Sequence, residues 1–369
     1  MPTARIRTAA VLCSIALAGA SFAAAQSASA ATWVIKGHGN GHGVGMAQWG
    51  AYGFAKHGKG YRWILGHYFT HTRVGKTSDS RIRVLLDSGP SSVGFSRATK
   101  ACDRRLRRHR RYEFVESGSE VILETQAGRN LAHCGRAGTA EGRGAIRISG
   151  RGVYRGALKA ISATGLLIIN VVRLDAYAKG VVPNEVPSSW PQAALRAQAV
   201  AARSYALGVA KGGSFDVYDD TRSQVYGGKP SETTRTSRAV EKTSDEVVRY
   251  RHRIATTYFS SSSGGETESI QFGFPGADPV PYLKSVDDPY DSASPDHTWK
   301  VRYSQAQIES RLADLFSGSL RRIRVLKRGD SPRIVLAKVV GSGGSSKVTG
   351  LGLQTRLGLK STWMRFIKR

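Results

Sequence analysis

Apolar and polar positions change rhythm several times along the chain, and each change marks a different kind of element. From Ala9 to Ala25 the sequence is apolar and uncharged; Arg5 and Arg7 precede this run, and Ala28-Ser29-Ala30 offers the small-residue spacing that a signal peptidase cleaves. This predicts a secretion signal over residues 1–30. Ser14, Gly19 and Ser21 interrupt the run, so a permanent anchor is not expected, and no later segment is apolar for long enough to span a bilayer. Residues 31–78 open on the glycine-rich stretch Gly37 to Gly45, then adopt helical spacing: Met46, Trp49, Gly50 and Phe54 share a face. A second helix is expected over Tyr61 to Tyr68.

Over residues 79–165 the period shortens to two. Arg81 to Leu86, Glu120 to Glu124 and Ala145 to Ile148 alternate between glycine-rich turns, which predicts a β-rich subdomain. Residues 166–369 begin with the apolar strand Leu166 to Val172 and a short helix, Leu174 to Lys179. A turn follows that holds Glu185 between Pro183 and Pro187. Pro191 suits the first turn of the next helix, with Ser188 or Ser189 as its cap. Leu195, Ala199, Ala202 and Ala206 form one stripe of that helix, and small residues cover nearly every other side. A helix so lean should be buried among neighbours. Beyond it come an Asp-rich loop (Phe215 to Gly228), a helix near Thr233 to Ser244, strands from Glu246 to Ser260, and a helix at Gln305 to Phe316. The mixed order predicts an α+β fold: mixed sheets around a central buried alanine-rich helix, with a β-rich inserted subdomain.

Charge narrows the class of partner. The chain has 55 basic and 27 acidic residues, a formal net charge of +28. Such a field favours polyanions. The basic runs Arg104 to Arg111 and Arg321 to Arg328 lack interleaved aromatics for stacking bases, so acidic wall polymers are the expected partner and nucleic acid is not. Cys13 lies in the signal, which leaves Cys102 and Cys134 as an isolated pair expected to form one disulfide outside the cell. Two thiols at that separation do not make a zinc site.

Glu185 is the candidate for chemistry. Protonating a glycosidic oxygen needs a carboxylic acid that stays neutral near neutral pH, which apolar burial can provide. Val182, Val186, Trp190 and the alanine helix offer that setting, while a nearby helix N-terminus would oppose it. The alternative is structural: Glu185 caps a helix or pairs with Arg196 or Arg203.

The segment from Asn170 through Leu174, Tyr177, Gly180 to Val182, Glu185, Pro187, Trp190 and Pro191 to Ala206 resembles the core motif of the stage II sporulation protein D (SpoIID/LytB) family. Phe259 to Thr267 is similar to the family's Ser-Gly-Gly loop, and Pro281 to Val286 and Leu357 to Thr362 match further stretches. Gly41 to Phe69 resembles a motif that ordinarily closes the family's domain at its C-terminal end, which implies a circular permutation here. The resemblance implies a secreted lytic transglycosylase of peptidoglycan. Glu185 would be its catalytic acid, and a 6-hydroxyl of N-acetylmuramic acid would close an anhydro ring. One carboxylate suffices for that outcome, whereas hydrolysis usually takes two. By the same resemblance His42, Gln48, Gln198, Arg203, Tyr205, Gln224, Tyr226, Ser262, Ser263, Gly264, Gly265 and Thr267 are candidates to bind substrate. Some members hold zinc through His and Cys at positions where this chain has Arg222, Ser223 and Ser260, so neither metal nor cofactor is expected. Two other readings stay open: a non-catalytic wall-binding enhancer of an N-acetylmuramoyl-L-alanine amidase, and a cationic binder of polyanions.

Overall fold

The computed structural model describes residues 31–78 and 80–369, so the expected secretion signal lies outside the described residues. It is an α+β fold. Two antiparallel-rich sheets, of seven and six strands, fill most of the span from Arg81 to Arg173. They enclose a shared core in which Phe95, Phe114 and Leu123 of one sheet meet Val84, Leu158 and Ile168 of the other. Alternation in the sequence makes this possible, since every second side chain of a strand points inward. Cys102 and Cys134 are joined by a disulfide in this subdomain.

Four helices surround or precede the centre: α1 (Gln48–Lys56), α2 (Tyr61–Tyr68), α3 (Leu174–Glu185) and α4 (Gln192–Gly208). A fifth, α5 (Thr234–Glu241), packs on α3 and α4. Helix α4 feeds three separate cores: Ala202 and Ala206 join the sandwich, Ala197, Val200 and Ala201 face α1 and α2, and Ala194, Leu195 and Ala199 meet α3 and α5. Small side chains all round are what permit three neighbours to close in on one axis.

Three local expectations are corrected. Helix α3 does not stop at Lys179 but runs through Pro183 to Glu185. Proline falls in the last turn, where it removes only the one bond to the Lys179 carbonyl, and the next carbonyl, of Gly180, accepts from Asn184 Nδ2 (2.7 Å) and the Gly227 N–H (3.1 Å). Neither Ser188 nor Ser189 caps α4; Pro191 itself occupies the N-cap, and Ser188 Oγ instead accepts from Thr233 Oγ1. The helix expected to reach Phe316 ends at Arg311 and continues as a 3₁₀ turn over Ala313–Leu315.

The two ends of the described chain meet. The strand Thr32–His38 is the middle strand of a three-stranded sheet, between Thr298–Ser304 and Met364–Lys368. Immediately after it, the loop Gly39–Gly45 lies against residues 258–265: Met46–Ala47 pairs in parallel with Phe259–Ser260, and Asn40 bridges Ser262. Contact is backbone to backbone. A Cβ on Gly39 would sit 2.7 Å from Ser262 and Ser263 main-chain atoms, and one on Gly264 would sit 2.7 Å from Gly39 N.

Candidate functional site

The end of α3, the Asp219–Gly228 loop and the two interlocked glycine loops enclose a cavity of about 450 Å³. Glu185, Tyr205, Gln224, Val225, His42, Tyr258, Phe274, Ser260 and Ser261 are among its lining residues. Glu185 is the one carboxylate among the described residues that line it. As the last residue of α3 it stands at the negative end of that helix, which disfavours a carboxylate. The helix start that would have opposed protonation, α4, begins seven residues later at Gln192.

How Glu185 is held follows from the loop opposite it. Gln224 and Tyr226 both turn inward: Tyr177 Oη donates to Gln224 Oε1 (3.1 Å), and Tyr226 Oη donates to Asn170 Oδ1 (2.8 Å). Between them Val225 faces outward, and its N–H donates to Glu185 Oε1 (3.2 Å). Gly180 makes this approach possible, since a Cβ there would lie 2.6 Å from the Tyr226 ring. Burial pushes the Glu185 carboxyl above the usual carboxylate range, against the opposing hydrogen bonds from the Val225 N–H and the Gln48 side chain. Desolvation therefore outweighs the stabilisation of the charged form.

The rest of the wall is largely aromatic. Tyr258 and Phe274 have ring centroids 5.0 Å apart, Tyr205 and Tyr258 5.7 Å, and His42 and Phe274 4.9 Å. His42 Nδ1 accepts from the Val44 N–H (2.9 Å), which leaves the proton on Nε2, bonded to the Phe259 backbone. Removal of water around the ring lowers its pKa to about 4, so His42 is neutral at ordinary pH with both nitrogens engaged. It shapes the wall rather than supplying a base.

The structure brings Glu185, His42, Tyr205 and Gln224 together, with Gln48 behind the glutamate, and separates the other candidates from the cavity. Arg203 is fully buried and holds α4 to its neighbours through Asp175 (2.5 Å), Thr243 and the Val240 carbonyl. Tyr226 is buried on Asn170, as above. Ser262 Oγ donates to Asp291 Oδ2 (2.6 Å) and Ser263 Oγ to Asp288 Oδ2 (2.7 Å), so neither hydroxyl is free for a sugar. The Gly264 N–H donates to Asp291 (2.9 Å) and Thr267 Oγ1 is tied to Val286. Gly265 flanks His297, outside the cavity lining. Gln198 is buried, with neither side-chain polar atom hydrogen-bonded. These serines serve the loop and not the cavity because a buried network of Asp288, Asp291 and Arg333 organises it from behind; Arg333 Nη1 donates to the Glu266 carbonyl at 2.8 Å. Sequence reasoning missed Tyr258, Phe274, Ser260 and Ser261. The first half of the serine run was the available signal for the last two.

A lean central helix and a cavity with a single raised carboxylate, walled by aromatics, characterise this α+β protein. Residues 162–250, which carry that carboxylate, match the model of the stage II sporulation protein (SpoIID) family. This segment of the chain is therefore similar to the SpoIID family. It is 41% identical over 137 residues to an amidase enhancer of Bacillus subtilis, which covers 37% of this chain and 18% of that protein. It is 28% identical over 215 residues to the stage II sporulation protein D of the same organism, covering 53% of this chain and 61% of that one. An uncharacterized protein of Brachyspira hyodysenteriae is 40% identical over 125 residues, 33% of each chain. The chain thus spans less than two thirds of the length of each of these relatives.

Proposed function

We propose that the protein is a cell-wall enzyme, a peptidoglycan lytic transglycosylase that acts outside the cell, with Glu185 as its one acid and base. The observation that supports this is a carboxyl whose pKa burial raises, in a cavity where no second described carboxylate stands. Glu185 gives its proton to the glycosidic oxygen between N-acetylmuramic acid and N-acetylglucosamine as that C–O bond breaks. The 6-hydroxyl of the muramic acid then attacks its own C1, and the Glu185 carboxylate takes the hydroxyl proton. The products are a free 4-hydroxyl on one fragment and a 1,6-anhydro end on the other, with no water consumed. Aromatic faces at Tyr205, Tyr258 and Phe274 suit the apolar faces of sugar rings. The glycine loop carrying His42 would occupy, near the start of this chain, the place the family gives it at the end of the domain.

Incubation with purified glycan strands, intact or stripped of stem peptides, is expected to release fragments with 1,6-anhydro-N-acetylmuramic acid ends, detected by mass spectrometry. Glu185→Gln should lower that release by about 10²–10⁴-fold, the usual share of general acid–base catalysis, while the fold is kept. Reducing ends alone, or no cleavage of either substrate, would sink the proposal. The similarity to an amidase enhancer favours a second reading, a non-catalytic wall binder that activates an N-acetylmuramoyl-L-alanine amidase. In that case the wild-type protein and Glu185→Gln would stimulate the amidase equally and neither would produce anhydro ends.

A further inference from the structure

Away from Glu185, the β-rich subdomain contains a larger concavity of about 940 Å³. One wall is the run after Cys102, with Arg104, Arg105, Arg107, Arg110 and Arg111; the other is the turn that follows Glu120–Thr125, with Arg129. The disulfide between Cys102 and Cys134 ties the two walls together. Among the described residues no acidic side chain lines the space, and none of these six arginines takes part in an ion pair. Some arginines elsewhere are neutralised: Arg83 pairs with Asp216, Arg155 with Glu232, Arg203 with Asp175 and Arg356 with Asp314. Six guanidinium groups held around one hollow without a counter-charge repel one another, and an anion relieves that repulsion.

We infer that this groove binds a flexible polyanion whose charges sit on phosphodiesters and which carries no bases, of the polyol-phosphate kind. Its cations are all arginine, whose planar fork pairs with phosphate oxygens through two parallel hydrogen bonds. Its volume is at the upper end of ligand clefts, too roomy for one phosphate and open enough for a chain to pass. Stacked bases are disfavoured because Tyr112, the one aromatic residue in the lining, is buried against Phe95 and its hydroxyl accepts the Arg107 N–H (2.9 Å). Such a site would anchor the molecule on a wall polymer while leaving the Glu185 cavity free.

The test is a binding titration of the whole protein with poly(glycerol phosphate), a single-stranded oligonucleotide of equal charge, and phosphatidylglycerol vesicles, each at several salt concentrations. Poly(glycerol phosphate) is expected to bind tightest, with log affinity falling linearly in log salt. The triple variant Arg105→Gln/Arg107→Gln/Arg110→Gln should lose at least about tenfold in affinity, the scale of one charge-assisted hydrogen bond or more. Arg321→Gln/Arg322→Gln/Arg324→Gln removes the same charge from an exposed strand at another place and should change affinity far less. Equal losses in the two triple variants would reduce the effect to net charge and overturn the site. Tighter binding of the oligonucleotide or the vesicles would overturn the ligand class. Glu185→Gln should leave this binding unchanged, so failure here and failure of the catalytic proposal are read separately.

Discussion

At Glu185 two hydrogen bonds favour the charged form and burial favours the neutral one, and burial prevails. The neutral acid therefore persists above the ordinary carboxylate range and is lost as pH rises through the raised pKa. The alkaline limb of kcat/KM should report that loss. Gln48→Met removes one of the two supports of the carboxylate, so the limb is expected to move to higher pH. Stability follows the same sign. A carboxyl whose folded pKa lies above its unfolded one opposes folding as pH rises beyond the unfolded value. Glu185→Gln should accordingly raise Tm at pH 7, and the gain should vanish in acid where both states are protonated; an equal gain at pH 3 and pH 7 would contradict the burial of this group. That Glu185, Tyr205, His42 and Gln224 would lie near one another was legible because three stretches of the sequence, around Glu185, His42 and Gln224, resemble motifs of one family. That Ser262 and Ser263 give their hydroxyl protons to Asp291 and Asp288 was not legible, because those carboxylates lie 29 and 25 positions further along. Tyr258 and Phe274 had no local pattern to set them apart from core aromatics.

Among the elements, α4 explains most of the arrangement. Its alanines are not merely good helix formers; they let three cores share one rod. That leanness could be seen directly in the sequence, and the central burial followed from it. Ala199→Leu, on the side facing α3, is expected to destabilise by about 1–3 kcal/mol through overpacking, measured by denaturant unfolding. The course of α3 was less visible. Proline ordinarily ends a helix, and the bonds that hold the turn around Pro183, from the Gly227 N–H and the Asn184 side chain to the Gly180 carbonyl, include one from far along the chain. Ser262→Ala should lower stability by about 2 kcal/mol, since it strips a buried carboxylate of a partner. Its effect on glycan cleavage should come through loop order, visible as a change in kcat without a shift of the pH profile.

Over the whole molecule, the alternation of strands and helices was enough to give the α+β class, while the meeting of distant segments was not. The disulfide closes a 32-residue separation, and Cys102→Ser with Cys134→Ser is expected to cost about 2–4 kcal/mol, read as a drop in Tm under non-reducing conditions. Longer still is the reach of the strand Thr32–His38, whose partners begin at Thr298 and Met364. A ribosome makes the strand that leads into the His42 loop long before its two partners. The sheet that holds this strand therefore cannot close until residues 298–304 and 364–368 have been made. Contacts so far apart in sequence slow the search for the native state, so the closing of this three-stranded sheet is expected among the late events of folding.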